Sequence, residues 1–365
     1  MKKHCIAAFG EVMLRLAPAG KKRFAQSVPG SLEATFGGGE ANVCASIAML
    51  GGSSRYLTAL PDNLVSAAFT AQLRSFGCDT SKIHYAPGRM GIYYAEHGSN
   101  MRGSNVIYDR DNSAIAVTAP ENYDFAAMLD GVTHCHLTGI TPALSKNAYE
   151  TTLELARYAA TAGITISIDL NYRKKLWNWE AGTVKNELAG RCMKEIVSFA
   201  DIIIGNEEDA ADVFGIRAGE SAVDKGDLDI SGYREVAACL SEMFPKAKLI
   251  ATTLRKSISA DSNDWGGVLY DCSDKKSYYA PLDENGKYAP YHITDIVDRF
   301  GGGDSFCAGL IYALNSEKYS APADAVRFAV AASALKHTIP GDYNYSSLSE
   351  VENLMRGSAS GRVQR

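Results

Sequence analysis

Residues 298–306 read Asp298-Arg299-Phe300-Gly301-Gly302-Gly303-Asp304-Ser305-Phe306, and a helical pattern starts directly after them. Three consecutive glycines let the backbone approach a bound anion. The start of a helix turns free N–H groups and a partial positive charge toward it. Asp304 stands where those amides converge, an unfavourable place for an acid unless it takes a proton from a reacting group. Glycine amides for a developing negative charge, with an aspartate beside them as base, form the working end of a phosphotransferase that needs no P-loop. A tight strand-to-helix turn capped by Asp304 would use the same residues without chemistry. The rest of the chain decides between the two.

Gly37-Gly38-Gly39-Glu40-Ala41-Asn42 opens a second helix that runs to Leu50 and is closed by Gly51-Gly52. A dinucleotide fingerprint would place glycine where Asn42 stands and a clear strand before it. A sugar fits better, because glycine amides approach hydroxyls and Asn42 offers a donor and an acceptor one turn in. Tyr108-Asp109-Arg110 and Asn171-Tyr172-Arg173 each carry an arginine, the second just past the strand ending at Asp169-Leu170. Arginine forks bind carboxylate through two parallel hydrogen bonds, so two arginines from separate segments could clamp an acid; ordinary surface arginines are the alternative. Asn206-Glu207-Glu208-Asp209 ends another strand. An amide and carboxylates there suit a hydrated Mg²⁺, and equally a helix capped by Asn206 with acids in its first turn. The chain has no GxxxxGK[ST], no HExxH and no GxSxG, which removes P-loop, zincin and hydrolase-elbow chemistry. His134 and His136 alternate on a strand and read as structural.

The elements that must position these residues follow an α/β pattern. Predicted strands over 134–140, 164–170, 201–205 and 248–254 alternate with predicted helices over 144–162, 182–199, 207–214 and 233–244. Cys5 to Phe9 reads as a first strand, and 305–315 and 323–337 as late helices. Apolar strands alternating with helices imply a parallel sheet covered on both faces, with ligands beyond the C-terminal strand ends. Residues 11–36 and 88–118 are β-prone but polar, and read as a small sheet projecting over the site as a lid. Residues 217–232 and 257–265 read as surface insertions, and Gly357–Arg365 as a disordered tail.

The 365 residues are 46% hydrophobic and 22% charged with a net charge of −5, which disfavours nucleic acid as the main ligand. Eight cysteines form no CxxC pair and read as reduced residues of a cytoplasmic chain. No apolar stretch approaches the ~18 residues of a membrane span.

Taken in order, these segments resemble the ribokinase-like sugar kinases of the phosphofructokinase-B type over roughly 5–345. Asp298 to Asp304 is similar to the family's D-T-x-G-A-G-D, with Arg299 for the threonine and Gly302 for the alanine. Asn206 to Asp209 resembles N-x-x-E, with aspartate for glutamate. The resemblance implies a three-layer α/β/α doubly wound domain over 1–345 with a β lid, followed by a C-terminal segment 346–365. It implies ATP and Mg²⁺ as cofactors, and a monovalent cation near the loop where Arg299 and Gly302 depart from the pattern. Within the family, Gly10 to Leu16, Tyr108 to Arg110 with Ser113-Ala114, and Asp169 to Arg173 resemble the 2-keto-3-deoxygluconate kinases. That likeness implies a sugar acid held by Gly38, Gly39, Asn42, Tyr93, Tyr108, Arg110, Asn171, Arg173 and Asp342. Asn206, Thr253, Arg255, Gly301 and Gly303 would take the nucleotide, Asp209 the metal through water, and Asp304 with Gly301 to Gly303 the chemistry. Fructokinase activity and a non-catalytic sugar-acid-binding regulator are the competing readings. An exposed lid sheet implies pairing between copies, hence a homo-oligomer.

Overall fold

The computed structural model describes residues 4–206, 208–217 and 230–357. The expected insertion at 217–232 lies almost wholly outside the described residues, as do Glu207 and the tail beyond Gly357. Among the described residues the main sheet has nine strands, in the order Lys276–Ala280, Ser262–Asp271, Leu249–Ser259, Ile202–Gly205, Thr165–Asp169, His134–Thr138, Cys5–Phe9 and Ser53–Leu57, with Tyr291–Ile293 joined to Ser262–Asp271. Pairing is parallel from Ser53–Leu57 to Leu249–Ser259 and antiparallel beyond. The chain leaves Cys5–Phe9 to one side first and to the other side later, so the strand order reverses between Cys5–Phe9 and His134–Thr138. A crevice is expected at the carboxyl ends of those strands.

The strands are apolar on both sides because helices cover both faces. Side chains alternate across a strand, so Ile203 packs with Leu155, Ala156 and Leu188 on one face. Its neighbours Ile202 and Ile204 pack with Phe306, Leu310 and Phe328 on the other. This is a three-layer α/β/α arrangement with a core on each side of the sheet.

A second sheet runs in the order Glu33–Gly37, Met13–Ala17, Gly91–Glu96 and Asn105–Asp109. It joins the main body at Gly10–Val12 and again where Gly37 leads into the helix Gly39–Met49.

One expectation needs correction. Residues 257–265 are no insertion; they continue Leu249–Ser259 into a hairpin with Ser262–Asp271, turning at Ala260-Asp261. Ladder hydrogen bonds hold this polar tip, which carries no hydrophobic alternation to announce it. Ser347 and Glu350 form a capping box for the helix Leu348–Met355, and Val351 is buried in the core.

Candidate active site

The loop after Asp298 runs into the helix Gly302–Leu314 with Gly301 as its N-cap. Gly301 has φ +75°, and a Cβ there would stand 2.0 Å from the Asp342 carbonyl oxygen, so only glycine fits. No side chain caps the free N–H groups of this helix start, and nothing lies within 4 Å of a Cβ placed on Gly303. The helix start thus borders the cavity without a side-chain cap among the described residues, which suits an anionic ligand. Asp298 shapes the loop: its carboxylate accepts from the N–H of Phe300 at 3.0 Å and of Gly341 at 2.9 Å. Arg299 turns away from the loop and donates to the carbonyls of Ala260, at 2.8 Å, and Ser259. Arg299, one of the two departures from the pattern the loop resembles, therefore ties the loop to the hairpin tip.

Asp304 lies in the first turn of that helix, half-buried. Asn42 Nδ2 donates to its Oδ2 at 2.6 Å, and Asn42 Oδ1 accepts from the Gly38 N–H at 3.3 Å. Burial pushes the Asp304 carboxyl up to about 6; Asp342 adds to the rise, while the Asn42 bond, Arg173 and Lys336 oppose it. A base near 6 is mostly ionised at neutral pH and still has enough affinity for a hydroxyl proton to act in general-base chemistry. Behind Asn42, burial lifts Glu40 to about 7. Glu40 accepts from Thr138 Oγ1 at 2.7 Å and Thr141 Oγ1 at 3.1 Å.

These groups line a cavity of about 320 Å³. Gly38, Gly39, Asn42, Tyr93, Tyr108 and Arg110 line it from the second sheet and the helix it feeds. Asn171, Arg173, Asn206, Asp209, Thr253 and Arg255 line it from the main-sheet strand ends, and Gly301 to Asp304 with Asp342 complete it. The residues to which the resemblance assigns binding or chemistry thus line one cavity.

Several have partners that the sequence does not announce. Arg110 is ion-paired with Glu11 rather than free, although Arg110 Nε and Glu11 Oε1 are buried without a hydrogen-bond partner among the described residues. Arg173 is exposed, donates only to the Tyr172 carbonyl at 3.2 Å, and has no carboxylate at ion-pair distance among the described residues. Asp342 Oδ1 already accepts from Arg15 Nη1 and from the Tyr93 hydroxyl, each at 2.6 Å. Asn171 Nδ2 donates to Asp169 at 3.2 Å. Asn206 Oδ1 accepts from the N–H of Glu208 at 2.7 Å and of Asp209 at 3.1 Å, just ahead of the helix Asp209–Phe214. Asp209 takes the N–H of Tyr172 at 3.0 Å and of Asn206 at 2.9 Å. Among the described residues no group of three or more His, Cys, Asp or Glu is placed to hold a metal ion.

The sequence reading passes over Glu11, Arg15, Glu40, Asp169 and Lys336. Asp169 lines the cavity, and burial with Asp209 and Asp304 nearby holds its carboxyl well above the usual range. The strand-end rule that picks out Arg173 also covers Asp169. Lys336 is fully buried at the end of the helix Pro322–Lys336, with Nζ donating to the Ile339 carbonyl at 2.9 Å; no local pattern marks it. His134 and His136 both bond Ser167 Oγ, and burial holds them at about 4 and about 3.

The pattern of the pfkB family carbohydrate kinase matches residues 3–236 and 267–348. The chain is 29% identical over 98% of its length, and 98% of the relative's, to the 2-dehydro-3-deoxygalactonokinase of Haloferax volcanii. It is 25% identical to the 2-dehydro-3-deoxygluconokinase of Bacillus subtilis, over 84% of this chain and 81% of that one. The crystal structure of 2-dehydro-3-deoxygluconokinase from Thermotoga maritima superposes with a TM-score of 0.86 at 36% identity, covering 97% of this chain and 99% of that one.

Proposed function

Because the chain belongs to the pfkB family of carbohydrate kinases, we propose that it phosphorylates the primary hydroxyl of a six-carbon 2-keto-3-deoxy sugar acid at the expense of ATP. The acceptor is 2-keto-3-deoxygluconate, giving 2-keto-3-deoxy-6-phosphogluconate, or its galactonate epimer. The observation that carries this reading is the meeting of Asp304, the helix-start glycines Gly302 and Gly303, and the arginines Arg110 and Arg173 in one cavity. Relatives named for both epimers add support.

Asp304 Oδ1 takes the hydroxyl proton as the acceptor oxygen bonds to the γ-phosphorus and the bond to the ADP oxygen breaks. The amides at the helix start face the charge on the group in transfer. Arg173 and the unpartnered Nε of Arg110 hold the acceptor carboxylate, fixing which hydroxyl reaches Asp304. Thr253, Arg255 and the glycine loop take the nucleotide. Mg²⁺ usually binds through one or two carboxylates plus substrate phosphates, and Asp209 and Asp169 would face it through water, where it would neutralise phosphate charge.

One observation favours a second reading: the Glu11–Arg110 pair already neutralises one arginine, as a neutral-sugar kinase would tolerate. ADP release with ATP, Mg²⁺ and a panel of 2-keto-3-deoxygluconate, its galactonate epimer, fructose, ribose and adenosine decides. Turnover confined to the keto-deoxy acids is expected. Turnover of fructose in preference to the acids would overturn the acceptor assignment, and silence across the panel would favour a sugar-acid-binding regulator.

A further inference from the structure

Arg15 belongs to the strand Met13–Ala17 of the second sheet and is 3% exposed. It shares its face of the strand with Met13 and Ala17, so its charge would be costly there without partners. Nη1 donates to Asp342 Oδ1 at 2.6 Å, and Nη2 donates to Asp298 Oδ2 at 2.7 Å and to His97 Nε2 at 2.8 Å. The guanidinium also lies 4.7 Å from the centre of the Phe300 ring.

The two carboxylates do different things. Asp298 folds the glycine loop through the amides of Phe300 and Gly341. Asp342 lines the cavity beside Tyr93, seated so close to Gly37 that a Cβ there would meet its Oδ2 at 2.2 Å. One guanidinium therefore spans the acid that shapes the anion loop and an acid on the acceptor side. A lysine could not do both, since its ammonium is a compact point charge without the planar fork.

We propose that Arg15 is a positioning residue for phosphoryl transfer: its fork holds Asp298 and Asp342 in register, and so sets the separation between the glycine-loop amides and the acceptor side of the cavity. Arg15 touches no reacting atom and acts through these two acids. Displacements of about 1 Å in such a site cost about 100-fold in rate.

The test uses the full chain with Arg15→Lys and Arg15→Met. Arg15→Lys should fold, with kcat lowered about 10–100-fold and KM for ATP within about 3-fold of the parent. Hydrogen exchange at the amides of Phe300 and Gly341 should speed up about 10-fold or more, while the strand Cys5–Phe9 is unchanged. Arg15→Met should be worse on both counts. A folded Arg15→Lys with parental kcat, or with parental exchange at both amides, overturns the proposal. So does loss of fold in both variants, which would make Arg15 a folding residue. The kinetic arm rests on the proposed function, whereas the exchange arm needs no acceptor. A parent silent on every acceptor rejects that function and leaves the exchange rates to judge Arg15.

Discussion

Asn42 Nδ2 donates to Asp304 Oδ2 at 2.6 Å, joining the start of the helix Gly39–Met49 to the start of the helix Gly302–Leu314. Two glycine-led helix starts, one from each end of the chain, thereby converge on one carboxylate. The amide fixes one oxygen of the acid and leaves the other toward the cavity. It also favours the ionised form, which a base must hold before it can accept a proton.

Asp304→Asn removes the base but keeps shape. A loss of kcat on the order of 10²–10⁴-fold with little change in KM is expected from steady-state kinetics. A kcat near that of the parent would exclude Asp304 as the base.

The same substitution should stabilise the fold at high pH. Burial raises Asp304 to about 6, so folding favours its protonated form. Its stabilising contribution is fully present below the unfolded carboxyl pKa of about 4 and is lost as pH rises through about 6. Asp304→Asn should therefore melt higher than the parent at pH 8, by on the order of 1–3 kcal/mol in stability, and about equally at pH 4. A lower melting point at pH 8 would contradict the raised pKa.

The acid limb of the kcat/KM profile, which reports the free enzyme, should fall near pH 6, where Asp304 loses its charge. Asn42→Ala removes a donor that favours the carboxylate, so the limb should move to higher pH and the maximal rate should drop. An unmoved limb would mean that another group governs it.

Arg173 lines the cavity and, among the described residues, has no carboxylate at ion-pair distance. Arg173→Ala should raise KM for a keto-deoxy acid about 10–100-fold, the worth of one charge-assisted contact, and far less for a neutral sugar. Equal effects on both acceptors would remove the carboxylate clamp.

Gly301 and Gly303 make a paired control. Gly301→Ala meets both a positive φ and a backbone oxygen at 2.0 Å, and should cost about 1–3 kcal/mol in thermal or denaturant unfolding. Gly303→Ala meets nothing in the protein, so stability should stay within about 1 kcal/mol of the parent while kcat falls as the methyl group intrudes on the anion. Normal turnover by Gly303→Ala would show that no anion approaches there.

The first strand at Cys5–Phe9 and the strand–helix alternation from about residue 130 onward were legible in the sequence because buried parallel strands are continuous apolar runs and their helices keep a 3.6-residue period. The glycine loop at 301–303 with Asp304 was equally legible, since a helix start is built from neighbours in the chain. Helix bounds shifted by a few residues: 305–315 became Gly302–Leu314, with the glycines drawn into its first turn. The polar hairpin tip at 257–265 and the capping box of Ser347 escaped because neither carries a hydrophobic period. What only the tertiary structure decided is which charge answers which. Arg110 meets Glu11, Arg15 spans Asp298 and Asp342, and Asn42 turns to Asp304. Such pairs join residues far apart in sequence, and their existence depends on interatomic distances set by packing two sheets and two helix starts around one cavity. Residue type and spacing along the chain determined which chemistry this protein has the parts for; three-dimensional packing determined how those parts are oriented and which charges remain for a ligand.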